Sequence, residues 1–144
     1  MNVFGRLDAT LQLPEDETML VDSVRKLATG QIAARAAEYD RSGEFPLANV
    51  RAINELGLNA MFIPEAYGGA QMSYAAYLAC VREISKACAS TGVVWATNFH
   101  AIKPLIDFGT EEQKKRLLPV MADGGLASLT ITEPTAGSDA TGMK

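Results

Sequence analysis

Leu126-Ala127-Ser128-Leu129-Thr130-Ile131-Thr132-Glu133-Pro134-Thr135-Ala136-Gly137-Ser138-Asp139 is the stretch on which the reading of this 144-residue chain turns. From Leu126 to Thr132, apolar Ala127, Leu129 and Ile131 alternate with polar Ser128, Thr130 and Thr132. Period two is the mark of a half-buried strand. Everything before it reads as helix and loop. A single strand cannot form a sheet, because its backbone groups need partners. The expectation is an all-α domain over residues 1–125 and, over 126–144, the first strand of a β domain whose other strands are missing.

Working back from that strand, Asp123-Gly124-Gly125 closes a helix carrying Leu117, Leu118 and Met121. Thr110-Glu111-Glu112-Gln113 opens it as a capping box, in which the Thr110 hydroxyl and the Gln113 amide satisfy each other's free backbone N–H groups. A helix over Val93 to Phe108 precedes it, with Pro104 expected to kink or shorten it. Ser90 and Thr91 read as its N-cap. Ser73 to Ala89 is helical on the stripe Tyr77, Val81, Ile84 and Cys88. Pro64 to Gly69 is a loop, since consecutive glycines favour turn dihedrals, and the apolar run Leu58 to Ile63 before it is too short to classify. A short helix follows Pro46, with Val50, Ile53 and Leu56 on one side and Gly57 as its stop. The first helix spans Pro14 to Tyr39 with Leu20, Val24, Leu27 and Ile32 at helical spacing. Glu15, Asp16 and Glu17 crowd its first turn, where the dipole favours anions. Arg41, Ser42 and Gly43 end it.

The bulk numbers exclude several classes. Hydrophobic residues at 48% and charged residues at 21% are too apolar for a disordered chain. A net charge of −4, with no clustered Lys and Arg, argues against nucleic acid as a partner. The first residues lack a secretory pattern, and the most apolar stretch, Gly92 to Gly109, is interrupted by Asn98, His100, Lys103 and Asp107, so no membrane span is expected. Cys80 and Cys88 are eight positions apart; on one helix that is about 12 Å of rise, beyond the roughly 7 Å a disulfide allows. Free thiols in a reducing, cytoplasmic setting are expected, and no metal site is, since no second ligand pair exists.

The turn after the strand is built from small residues. Pro134 fixes one dihedral, Gly137 permits close approach or a positive φ, and Ser138 and Asp139 add acceptors. Successive backbone N–H groups in such a turn can cradle an anion. These residues suit a platform for a flat, phosphate-bearing ligand, and equally a plain polar turn between strands.

Four stretches in order then carry a resemblance. TEPTAGSD at 132–139, preceded by ASLTI, resembles the flavin-contacting signature of acyl-CoA dehydrogenases. Pro64-Glu65-Ala66-Tyr67-Gly68-Gly69 is similar to that family's P-E-x-Y-G-G loop, Ala87 to Gly92 to its A-C-A-S-T-G segment, and Phe108 to Lys114 to its F-G-T-E-E-Q-K motif. The resemblance covers nearly the whole chain and implies an orthogonal helical bundle of the family's amino-terminal type, followed by the start of its middle β domain.

It implies FAD as cofactor, with Leu129, Ile131 and Thr132 meeting the flavin ring and Gly137 and Ser138 near its phosphate-bearing arm; Ser138 is also the implied contact to the acyl-CoA substrate. The family reaction is α,β-desaturation, with hydride passing to flavin N5 and electrons onward to an electron-transfer flavoprotein. The base comes from a later helical domain, so no catalytic residue is assigned here, and the chain alone is expected to be inactive. Glu133 is expected to brace the turn. Trp95 and Phe99 either line the acyl pocket or pack the core, and His100, without an acid or nucleophile partner, is structural. A homo-oligomer, tetrameric in the family, is implied. The alternatives are a related flavin oxidase or monooxygenase, or a non-enzymatic split subunit or remnant.

Overall fold

The computed structural model describes residues 12–143. Among them the regular elements are all helical. They are α1 (Glu15–Leu27), α2 (Ala33–Ser42), α3 (Leu47–Glu55), α4 (Tyr74–Ala87), α5 (Ala89–Phe108) and α6 (Glu111–Ala122). Short 3-10 turns lie at Leu58–Ala60, Glu65–Tyr67 and Ala140–Gly142.

The single first helix expected from Pro14 to Tyr39 is interrupted. Between α1 and α2 the chain forms a π turn, Ala28–Ile32, after which the Ala33 N–H reaches back to the Ala28 carbonyl. Such a turn holds one residue more than an α turn. It matches the five-residue step from Leu27 to Ile32, keeps Ala28 and Ile32 buried, and sets Arg35 Nη1 3.2 Å from Asn49 Oδ1. Gly43 ends α2 with φ 68°, and Gly57 follows α3 with φ 71°, as glycine in those places predicts.

The apolar faces meet in one core. Val24, Ile32, Ile53, Leu58, Ile63, Ile84, Ile102 and Leu118 are all but inaccessible there. Trp95 and Phe99 join Phe62 and Tyr77 in a cluster of tilted and edge-on rings with centroids 4.5–5.5 Å apart, geometry that adds to the burial energy. Core packing is therefore their role. The Leu58 to Ile63 run is not a strand. After its 3-10 turn it folds against residues 70–72, whose N–H groups donate to Ala60, Ile63 and Met61 carbonyls. Gly69 is obligatory in that wrap, since a Cβ there would lie 1.7 Å from the Ile63 carbonyl oxygen.

Buried polar groups tie the helices at chosen points. The Glu17 carboxylate accepts both the Ser73 N–H (2.6 Å) and the Ser73 hydroxyl (2.7 Å), while Ser73 Oγ accepts from the Ala76 N–H to cap α4. α4 and α5 are separated only by Cys88, in extended conformation. Ser90 and Thr91 accordingly do not cap α5 but lie within its first turn. Thr91 is instead a buried link: its hydroxyl accepts from Asn49 Nδ2 (2.9 Å) and contacts Cys88 Sγ (3.1 Å). At Gly92 a Cβ would fall 2.1 Å from Ser85 Oγ, so the small residue lets the two helices close. Pro104 does not shorten α5, which runs through it; the carbonyl four residues back belongs to exposed His100, where water can take the place of the missing donor. The capping box at Thr110 and Gln113 is formed as expected.

The strand expected at 126–132 is not made. No ladder bonds involve it, and Leu126, Leu129 and Ile131 are about half exposed. Period two describes a strand only when a neighbour supplies the other half of each backbone bond, and among the described residues none does.

Candidate functional site

The segment from Leu126 onward leaves the bundle through three asparagines. Asn54 Nδ2 donates to the Gly124 carbonyl (3.1 Å), Asn59 Nδ2 to the Gly125 carbonyl (3.5 Å), and Asn98 Oδ1 accepts the Ala127 N–H (2.6 Å). Asn59 is held in turn by the Trp95 indole N–H at 3.2 Å. The α6 end turns at Gly124, whose φ is 96°, with the Gly125 N–H bonded to the Val120 carbonyl. Sequence reasoning missed these asparagines. For Asn98 a signal was present: a polar residue three positions from Trp95 and four from Ile102, on the buried stripe of α5.

Beyond that anchorage the turn is preformed. The Glu133 N–H donates to the Ala136 carbonyl (3.0 Å) and the Ala136 N–H to the Glu133 carbonyl (3.2 Å), closing Pro134 and Thr135 into a tight loop over buried Ala136. Glu133 backbone thus braces the turn. Gly137 does not take the positive φ that glycine would allow, and a Cβ there would meet open space, so nothing among the described residues requires glycine at this position. Asp139 shapes the next turn, its Oδ1 accepting the Thr141 hydroxyl at 2.7 Å. Leu129, Ile131, Thr132, Gly137 and Ser138 all lie exposed on this segment.

Between α5 and the start of the segment lies a cleft of about 320 Å³. Phe45, Val94, Leu126 and Ala127 give it apolar walls, and Thr97, Asn98 and Ser128 its polar groups. Asn98 is 2% exposed, and its Nδ2 has no hydrogen-bond partner among the described residues; a buried donor left so costs about 1–3 kcal/mol. Trp95 and Phe99 do not line this cleft.

A second cleft of about 350 Å³, between α1 and α4, holds an ion cluster. The buried Glu83 carboxylate meets Arg25 (3.4 Å), Arg82 (3.1 Å) and Lys86 (3.1 Å). Burial pushes its pKa up, but the hydrogen bond and charge of Lys86, the charge of Arg25 and the Arg82 hydrogen bond outweigh it and hold the carboxyl below its ordinary value. Burial, with Glu83 and Glu17 nearby, pushes the Cys80 thiol up to about 12, so it stays protonated and is no nucleophile. Cys80 and Cys88 are both free and buried. Among the described residues no helix is long and apolar enough to cross a membrane, and no group of three His, Cys, Asp or Glu is placed to hold a metal ion.

The described residues thus form a helical bundle that anchors one unpaired segment at its edge. Residues 14–125 match the family described as acyl-CoA dehydrogenase, N-terminal domain, and the chain belongs to that family. It is 41% identical over 135 residues to a probable acyl-CoA dehydrogenase of Bacillus subtilis, YngJ, covering 92% of this chain and 36% of that protein. Among solved structures, a chain described as the electron transferring flavoprotein of Acidaminococcus fermentans superposes with a TM-score of 0.85 at 31% identity, covering 93% of this chain and 36% of that one. The acyl-CoA dehydrogenase of Bacillus anthracis complexed with FAD superposes with a TM-score of 0.81 at 28% identity, covering 92% and 23%. The chain thus spans about a third or less of the length of these relatives.

Proposed function

We propose that this chain supplies the helical wall and the first flavin-contacting segment of an FAD-dependent, cytoplasmic acyl-CoA dehydrogenase that desaturates acyl-CoA thioesters at the α and β carbons. The observation that carries the reading is the uncovered row Leu129, Ile131 and Thr132, leading directly into the closed Glu133–Ala136 turn. Two apolar side chains and a hydroxyl fit a flat ring with a polar edge, and open space at Gly137 fits an approaching phosphate-bearing arm. FAD, when bound, supplies the hydride acceptor. Leu129 and Ile131 then exclude water from one ring face, Thr132 hydrogen-bonds the polar edge, and Ser138 orients the thioester. The proton-abstracting carboxylate is not among these residues, so the 144-residue chain by itself turns over no acyl-CoA. In the working enzyme the middle-domain strands cover the exposed row, the assembly is a homo-oligomer, and an electron-transfer flavoprotein takes the electrons.

A chimera tests this. With this chain replacing the matching segment of the Bacillus subtilis relative, FAD should be retained and acyl-CoA desaturated. Thr132→Ala in that chimera should weaken FAD binding by about 1–3 kcal/mol, and Ser138→Ala should raise KM for acyl-CoA more than it disturbs FAD. A folded chimera with unchanged FAD affinity and KM in both variants refutes the assignment. Rapid reaction of the reduced flavin with oxygen would instead mark an oxidase.

A further inference from the structure

Residues 128–132 contain nothing that fixes their own register. Their backbone makes no bond among the described residues, and all five are exposed. In an extended run the side chains alternate, so a slip of one residue would exchange the side of Leu129 and Ile131 with that of Thr130 and Thr132. The phase must therefore be set at the ends of the run. Downstream, the two bonds between Glu133 and Ala136 shape the turn itself and tie it to no helix. Upstream, Asn54 and Asn59 bond the Gly124 and Gly125 carbonyls at 3.1 and 3.5 Å, still within the turn that ends α6. The last bond before the free run, and the shortest of the three, passes from the Ala127 N–H to Asn98 Oδ1 at 2.6 Å.

Asn98 is 2% exposed and lies in α5 with buried Trp95 and Ile102 one turn to either side. Its amide orientation is fixed, because the Ala127 N–H demands an oxygen; the flipped amide would set donor against donor. That orientation leaves Nδ2 buried without a partner among the described residues. A side chain present only to fill the core would do so at lower cost as leucine, which has nearly the same bulk and no unpaired donor. The oxygen is the part of Asn98 that the fold uses, and what it holds is Ala127.

We infer that Asn98 is a positioning residue for the flavin-contacting row: through the Ala127 N–H it sets the phase in which Leu129, Ile131 and Thr132 leave the bundle. Ala127, Leu129 and Ile131 are the alternate apolar residues of the run, so the residue that Asn98 holds belongs to the same set as the two side chains assigned to the ring. Asn98 acts only through the backbone of residue 127 and touches neither cofactor nor substrate. That the row meets FAD rests on the proposed function; that Asn98 holds the start of the row does not.

Two variants separate this role from packing alone. Asn98→Asp keeps an acceptor oxygen at the same reach, whereas Asn98→Leu keeps the bulk and loses the acceptor. In the 15N-labelled 144-residue chain, the Ala127 amide should exchange with solvent at least about tenfold more slowly than the amides of residues 128–132. That protection should survive in Asn98→Asp and vanish in Asn98→Leu. In the chimera with the Bacillus subtilis relative, Asn98→Leu should weaken FAD binding roughly tenfold and shift the flavin absorbance band, with helical circular dichroism retained. Asn98→Asp should restore both to near the wild-type values. If Asn98→Leu does not fold, Ala127→Pro takes its place, since it removes the donor and leaves the α5 side chains as they are. An unprotected Ala127 amide in the wild type, a folded variant without this bond that holds FAD as the wild type does, or an Asp variant as weak as the Leu variant each overturns the inference. A wild-type chimera that holds no FAD removes the proposed function and this role with it. A chimera that holds FAD alike in wild type, Asp and Leu removes this inference and leaves the proposed function standing.

Discussion

Residues 12–125 and residues 126–143 are built from the same kinds of side chain, yet apart from Ala136 only the first group uses its apolar side chains inwardly. In the bundle Ile53, Ile84 and Ile102 are wholly buried and its polar side chains are spent on caps and clamps. In the segment Leu129 and Ile131 are 46% and 48% exposed, and the backbone of residues 128–132 makes no bonds within the described chain. The difference lies in where the partners are. A helix completes its backbone bonds within itself and needs a neighbour only for one face; a strand needs a neighbour for everything.

That contrast can be broken most violently at the aromatic cluster. Trp95→Ala should destabilise the bundle by about 3–5 kcal/mol, measured by urea unfolding followed at the helical signal. A loss below about 1 kcal/mol would show that the rings around Trp95 are not the core. Gly92→Ala is next, since a methyl group 2.1 Å from Ser85 Oγ forces α4 and α5 apart, at about 1–3 kcal/mol.

Acid should then erode the bundle through Glu83. Its carboxyl is held below its ordinary value by three cations, so the stabilisation is fully present above the pKa of the unfolded chain, about 4.3. It fades as pH falls through the folded value. Urea midpoints measured from pH 7 to pH 3 should drop for the wild type and be flatter for Glu83→Gln, which starts lower. Parallel curves would remove the cluster from the account.

The smallest effect should fall on the segment. Ile131→Ser should change stability by no more than about 0.5 kcal/mol, and amides 128–132 should exchange with solvent almost without protection. A cost above about 1 kcal/mol would mean that Ile131 is covered, for example by a second copy of the chain, and the comparison between the two regions would need recasting.

Much of the helical region was legible because its signals are local. The capping box at Thr110, the stops at Gly43 and Gly57 and the stripe from Tyr77 to Ile84 depend only on near neighbours. The π turn is written in the sequence as the five-residue step between Leu27 and Ile32, which a helical stripe does not distinguish because it tolerates one loose interval. Thr91 misled for a different reason. A threonine near a helix start suits a cap, but its actual partner, Asn49, comes from α3, and no local rule sees that far. The same holds for Asn54, Asn59 and Asn98, which act on residues 124–127 across the fold. The residues proposed to face a ligand were legible only as a motif. Nothing in their own spacing separates a flavin platform from a polar turn.

The π turn at Ala28–Ile32 makes the first helical arm act as a ratchet with one extra tooth. Winding the same residues as a regular α-helix, with none removed, would rotate everything downstream by about 100° around the helix axis. Arg35 would swing away from Asn49, and with it the outermost link of the Arg35–Asn49–Thr91–Cys88 chain that runs to the α4–α5 corner. A helix from Glu15 to Ser42 of perfect regularity would therefore be the wrong one: the irregularity is what brings its second half into phase with the rest of the bundle.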